Sequence, residues 1–101
     1  MAIDGTYIID IQAPMGTVHG VLKIQAIGKG LCGTYEAHGI QPLGGIINDN
    51  KFTFYTGVGE PPKQIKLEFI GELIEKESAK ELTGHASADG SEPSAFKGTK
   101  V

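Results

Sequence analysis

The sequence predicts an all-β domain: eight strands in an antiparallel up-and-down meander that closes into a barrel, with a two-layer β-sandwich as the alternative. Three observations carry this. Apolar and polar residues alternate along most of the chain, the period of a half-buried strand. Clusters of Gly, Pro, Asn and Asp interrupt the alternation at short intervals. A large apolar residue, one spacer and a glycine recur at Ile3-Asp4-Gly5, Val18-His19-Gly20, Leu31-Cys32-Gly33, Leu43-Gly44-Gly45, Tyr55-Thr56-Gly57, Phe69-Ile70-Gly71, Leu82-Thr83-Gly84 and Phe96-Lys97-Gly98. Successive glycines stand roughly 12 to 15 residues apart, one strand plus one turn. In each triplet the apolar residue and the glycine are two apart and share a strand face. We read the glycines as turned inward, where they bend strands or allow close approach across a tight interior. Eight strands can close into a barrel, and closure removes exposed sheet edges.

The elements follow in order. Thr6 to Gln12 sets Tyr7, Ile9 and Ile11 on one face, and Pro14-Met15-Gly16 turns the chain. Val18 to Ala26 is the second strand, ended by Gly28-Lys29-Gly30. Leu31 to Ala37 places Leu31, Gly33, Tyr35 and Ala37 together, and Leu43 to Ile47 is a shorter fourth strand. Asn48-Asp49-Asn50 is turn chemistry, since Asn and Asp tolerate left-handed backbone. Lys51 to Val58 is broken by Gly59-Glu60-Pro61-Pro62. Gln64 to Ile74 is the longest alternating run, and Glu75 to Glu81 reads as a charged loop or one helical turn. Lys80 to Ala88 is the seventh strand, Asp89-Gly90-Ser91-Glu92-Pro93 turns again, and Ser94 to Val101 is the eighth.

A chain of 101 residues, 40% hydrophobic and 21% charged, reads as one globular domain over residues 1–101. The net charge is −3, and lysine supplies all nine positive charges. Phosphate and base-edge recognition rest heavily on arginine, so nucleic acid is not an expected partner. Anionic membranes are disfavoured by the sign of the charge. Cys32 stands alone, which rules out an internal disulfide framework. Met1-Ala2-Ile3-Asp4-Gly5 lacks the basic and apolar regions of a signal peptide, and no apolar run reaches membrane-spanning length. The expected location is the cytoplasm.

Two segments resemble the avidin and streptavidin family within the wider calycin group. Asp4-Gly5-Thr6-Tyr7 is similar to the Gly-Thr-Trp that opens that family's first strand, and Leu31-Cys32-Gly33-Thr34-Tyr35-Glu36-Ala37 resembles its Leu-Thr-Gly-Thr-Tyr-Glu-Ser. The resemblance covers about a dozen residues and implies a small barrel with Tyr35 as an inward polar contact. It does not imply biotin. The family's pocket is closed by tryptophans, of which this chain has none, its Tyr-x-Ser pair is Tyr35-Glu36-Ala37 here, and Tyr7 stands where the first tryptophan would.

Chemistry is sparse. His19, His38 and His85 lack the short spacing of a metal pair. Cys32, Thr34, Glu36 and His38 share a strand face and could hold zinc by residue type, but that face lies opposite Leu31 and Tyr35 and reads as solvated surface. Gly-x-Ser-x-Gly is absent, and Gly57-Val58-Gly59 has no following helix to bind phosphate. Glu68, Glu72, Glu75, Glu77 and Glu81 mingle with Lys76 and Lys80 as solubilising charge. The aromatics Tyr7, Tyr35, Phe52, Phe54, Phe69 and Phe96 fall inward, where they fill a core or line a cavity. Ile8, Val21, Ile70 and Ile74 fall outward, and a patch of such residues marks an interface.

The expected function is a non-enzymatic cytoplasmic barrel, without cofactor or metal, that binds a small, partly apolar ligand in its mouth. Tyr35 would supply a hydroxyl, with Tyr7, Phe54, Phe69 and His85 as further candidate contacts; alternation places His85 on the outside. The alternative is an oligomeric assembly or accessory subunit acting through a sheet surface.

Overall fold

The computed structural model of the protein describes residues 3–14, 16–37, 39–58, 65–76, 79–88 and 92–101. Eight strands form: β1 (Gly5–Ala13), β2 (Gly16–Ile27), β3 (Gly30–Glu36), β4 (Ile40–Asn48), β5 (Lys51–Val58), β6 (Ile65–Lys76), β7 (Ala79–Ala88) and β8 (Ser94–Lys100). Each pairs antiparallel with the next, and β8 returns to β1 from Tyr7↔Lys100 to Ile11↔Phe96, so the meander is a closed barrel and not a sandwich. Among the described residues there is no helix long and apolar enough to cross a membrane. The expected turns at Gly59-Glu60-Pro61-Pro62 and Asp89-Gly90-Ser91, with Met15, Glu77 and His38, lie outside the described residues.

Turn chemistry sets the hairpins. Gly28 takes a φ of 61° between β2 and β3, and Asp49 a φ of 57° between β4 and β5. Asn50 then ties that turn to β6, its carbonyl accepting from the Leu73 N–H at 2.7 Å. The charged loop expected from Glu75 to Glu81 is instead largely strand. β6 runs on through Lys76, and Glu75 pairs with Lys80 across the ladder. Opposite charges directly across two strands favour the pairing, which the bare charge density of the segment conceals.

Side chains alternate in and out as expected. The buried set includes Tyr7, Ile9, Leu22, Tyr35, Phe52, Phe54, Phe69, Leu82 and Phe96. Five aromatics form one continuous cluster. Phe54 stacks on Phe69 at 4.8 Å, Phe52 on Phe54 at 5.4 Å, Phe96 meets Phe69 edge-on at 5.2 Å, and Tyr35 tilts against Phe69 at 5.8 Å. Such pairs add about 0.5–1.5 kcal/mol each beyond their buried area.

The inward glycines are the complement of this bulk. Gly45 faces Phe54, Gly71 faces Phe52, Gly84 faces Phe96, and Gly98 lies between Ile9 and Leu82. Alternation of small and large residues is how a narrow barrel fills its interior. The glycine positions are therefore tight rather than open. A Cβ on Gly45 would stand 2.6 Å from the Phe54 Cβ, and Gly71 and Gly84 sit directly opposite one another with no room for either to carry a side chain. One triplet breaks the inward rule. Phe52, Phe54 and Thr56 face the core, so Tyr55 and Gly57 face out.

The two ends of the barrel differ. At the end holding the β2–β3 and β4–β5 turns, Ile3 folds under and is 1% exposed. The Tyr7 hydroxyl donates to the Ile3 carbonyl at 2.9 Å, and the Asp4 carboxylate accepts from the Ala26 N–H at 3.1 Å. The other end is the mouth.

Candidate functional site

The mouth holds a cavity of about 300 Å³. Its wall is apolar: Ile11 and Ala13 from the end of β1, Pro14, Val18 from β2, Leu67 from β6, and Ala86 and Ala88 from β7. The polar contributions are Tyr35, Ser87, Ser94 and Glu92, and Glu92 is the one charged group lining it among the described residues. Antiparallel connectivity produces this gathering, because the C-terminal ends of odd strands and the N-terminal starts of even strands meet at the same rim.

Tyr35 sits on β3 opposite Leu22, and its ring reaches over Gly20 of the neighbouring β2. A Cβ on Gly20 would lie 2.7 Å from the Tyr35 Cε1, so the missing side chain makes the notch in which the ring rests. The hydroxyl has no hydrogen-bond partner among the described residues, yet no buried polar side-chain atom among them is unsatisfied. It is therefore open to the cavity. Burial pushes the Tyr35 hydroxyl above its ordinary range, which keeps it protonated and a donor at neutral pH.

The other candidate residues fall elsewhere. Tyr7 is committed to the closed end by its bond to Ile3, and burial, helped by the charges of Asp4 and Glu75, pushes it up to about 12. Phe54 and Phe69 are fully buried in the aromatic cluster beneath Tyr35 and do not line the mouth. The aromatics thus fill the middle of the barrel and confine the cavity to its mouth. His85 is exposed on the outer face, beside an open groove of about 440 Å³ that Ile70, Gly71, Gly84 and Ala95 also line. The lining residues Val18, Leu67, Ala86 and Ser94 were not expected. Each is an ordinary strand residue, and only its position at one end of the barrel makes it a site residue.

A second cavity of about 300 Å³ opens where β4 and β5 part, lined by Gln41, Pro42, Thr56, Gly57, Ile65 and Lys66. Their pairing stops at Gly44↔Tyr55. The Pro42 carbonyl points at β5, where it accepts from the Thr56 hydroxyl at 2.9 Å. On a strand a residue's N–H and carbonyl face the same side, and proline has no N–H to give. A side chain replaces the ladder there.

The outer face offers less. Cys32 is exposed on β3, and among the described residues no three His, Cys, Asp or Glu side chains gather as a metal site. His19 and Asp10, opposite each other on β2 and β1, share a 2.5 Å contact at the surface. Outward residues Ile46, Thr53, Ile70, His85 and Ala95 pair in one row across β4 to β8. Sequence comparison matches no protein-family model and no curated protein.

Proposed function

We propose that this small β-barrel binds a small, partly apolar molecule in its mouth and is not an enzyme. The observation that carries the reading is the apolar cavity with the Tyr35 hydroxyl at its floor, which has no hydrogen-bond partner among the described residues. A volume of about 300 Å³ lies at the lower end of the range for small-molecule sites. The one floor hydroxyl is held in its protonated form, which suits hydrogen bonding to a ligand and not proton abstraction. The likeness of residues 31–37 to the avidin group belongs to this proposal, since it too makes Tyr35 the polar contact. So does a cytoplasmic location, supported by a lone, exposed cysteine.

The test is a small-fragment screen read by amide chemical shifts. Binders should perturb Val18, Tyr35, Leu67 and Ala86 together. Ala86→Leu places a larger side chain in the mouth and should abolish those shifts while the rest of the spectrum stays folded. Shifts confined to the outer groove, or none across the screen, would sink the reading.

A second reading is favoured by the exposed row from Ile46 to Ala95, in which Ile46 is 63% and Ile70 52% exposed. Here the barrel self-associates through the outer face of β4 to β8. Light scattering should then show a dimer or larger species; a monomer at every concentration overturns it.

A further inference from the structure

The mouth also says what class of molecule it fits, an inference that rests on the mouth being the binding site. Its most buried hydrogen-bond donor is the Tyr35 hydroxyl, set in an apolar wall of Ile11, Val18, Leu67 and Ala86, with the half-buried Ser87 and Ser94 hydroxyls also lining the space. Among the described residues the wall offers no positive charge, and Glu92 puts a negative one at the rim. A carboxylate entering this space would lose hydration with no cation among the described lining residues to replace it, a heavy cost in an apolar site, and would approach against the Glu92 charge. A pure hydrocarbon would leave the hydroxyl unpaired once water is displaced, which costs as well. An uncharged oxygen acceptor on a hydrocarbon body meets both conditions. At about 30 Å³ per water-sized unit, the cavity holds about ten non-hydrogen atoms.

We propose that the mouth selects a compact neutral molecule, a hydrocarbon body of about ten non-hydrogen atoms carrying one carbonyl or hydroxyl oxygen that accepts a hydrogen bond from Tyr35.

Three probes of matched length test this: 2-octanone, octanoate and octane, titrated by calorimetry into the wild-type chain and Tyr35→Phe. The ketone should bind most tightly, about five- to tenfold better than the hydrocarbon, the worth of one hydrogen bond. Octanoate should bind more weakly than the ketone. Tyr35→Phe should weaken the ketone and tighten octane, since no hydroxyl is then left unpaired, so that the ketone loses its advantage. Infrared spectroscopy on wild type gives a readout free of any folding effect of the variant: the carbonyl stretch of the bound ketone should move to lower frequency. Octanoate binding as well as the ketone, or an unshifted carbonyl band, overturns the ligand class while mouth binding stands. Failure of all three probes to bind overturns the mouth as a binding site, and the class with it.

Discussion

Of the seven inward glycines of the triplets, four are held by backbone and three by side chains. A Cβ on Gly33 would stand 1.8 Å from the Lys23 carbonyl oxygen, and on Gly45, Gly71 or Gly84 2.1 Å from the oxygens of Thr53, Thr83 or Ile70. Backbone of a neighbouring strand cannot swing away, so these positions admit no side chain while the ladder stays intact. Gly98 differs, since its nearest obstacle is the Leu82 Cβ at an ordinary 3.4 Å. Gly84→Ala should therefore cost about 1–3 kcal/mol or more, the range for overpacking, and Gly98→Ala much less. Urea midpoints of the two variants check the contrast. The alternation of the sequence made the inward placement of Tyr35, Phe54 and Phe69 legible. It did not reveal that Gly45 and Gly84 are covered by neighbouring backbone, because that depends on which residue lies opposite in the register.

Where the ladder between β4 and β5 ends, the Thr56 hydroxyl joins the two strands. Thr56 is 5% exposed, and its bond to the Pro42 carbonyl takes over where the ladder stops at Gly44↔Tyr55. Thr56→Val keeps the shape and removes the donor. It should lower stability by about 1 kcal/mol, the net worth of a hydrogen bond together with the carbonyl left behind. Amide exchange should quicken along Ile40 to Leu43 and Thr56 to Gly57, and stay slow near the Asn48↔Lys51 turn; uniform change would show that the bond does not hold this stretch. The sequence reading places a shorter fourth strand at Leu43 to Ile47. The structure starts β4 at Ile40, because β3 pairs with it from Glu36↔Ile40 onward and proline's missing donor faces the other neighbour.

At the scale of the whole barrel, its closed end makes stability depend on alkali. Tyr7 ionises in the ordinary range near 10.0 when unfolded and at about 12 when folded, chiefly because its ring is buried. A group whose folded value is raised contributes stability that is full below its unfolded value and lost as pH rises through the folded one. Stability should hold to about pH 10 and fall between pH 10 and 12. Tyr7→Phe should flatten that fall in chemical denaturation curves taken across the range, and an unchanged slope would show that Tyr7 does not govern it. The eight-strand count was legible, because triplets and turns mark each crossing. The sequence left closure into a barrel beside a two-layer sandwich, and the β8–β1 pairing decides for the barrel. The mouth was not legible. Val18, Leu67, Ala86 and Ser94 come from four strands spread along the chain, and only the closed register brings them to one rim.

The notch at Gly20 gives the mouth a freedom that the frame lacks. Its obstacle is the far end of a movable ring, not a backbone carbonyl. A side chain gained at Gly20 could thus be traded against bulk lost at Tyr35, shifting volume between wall and floor with the ladder untouched. Lineages that diverge in what they bind would be expected to vary these two positions jointly, while Gly33, Gly45, Gly71 and Gly84 remain fixed. The barrel would then keep one scaffold and re-cut its pocket by a single reciprocal exchange.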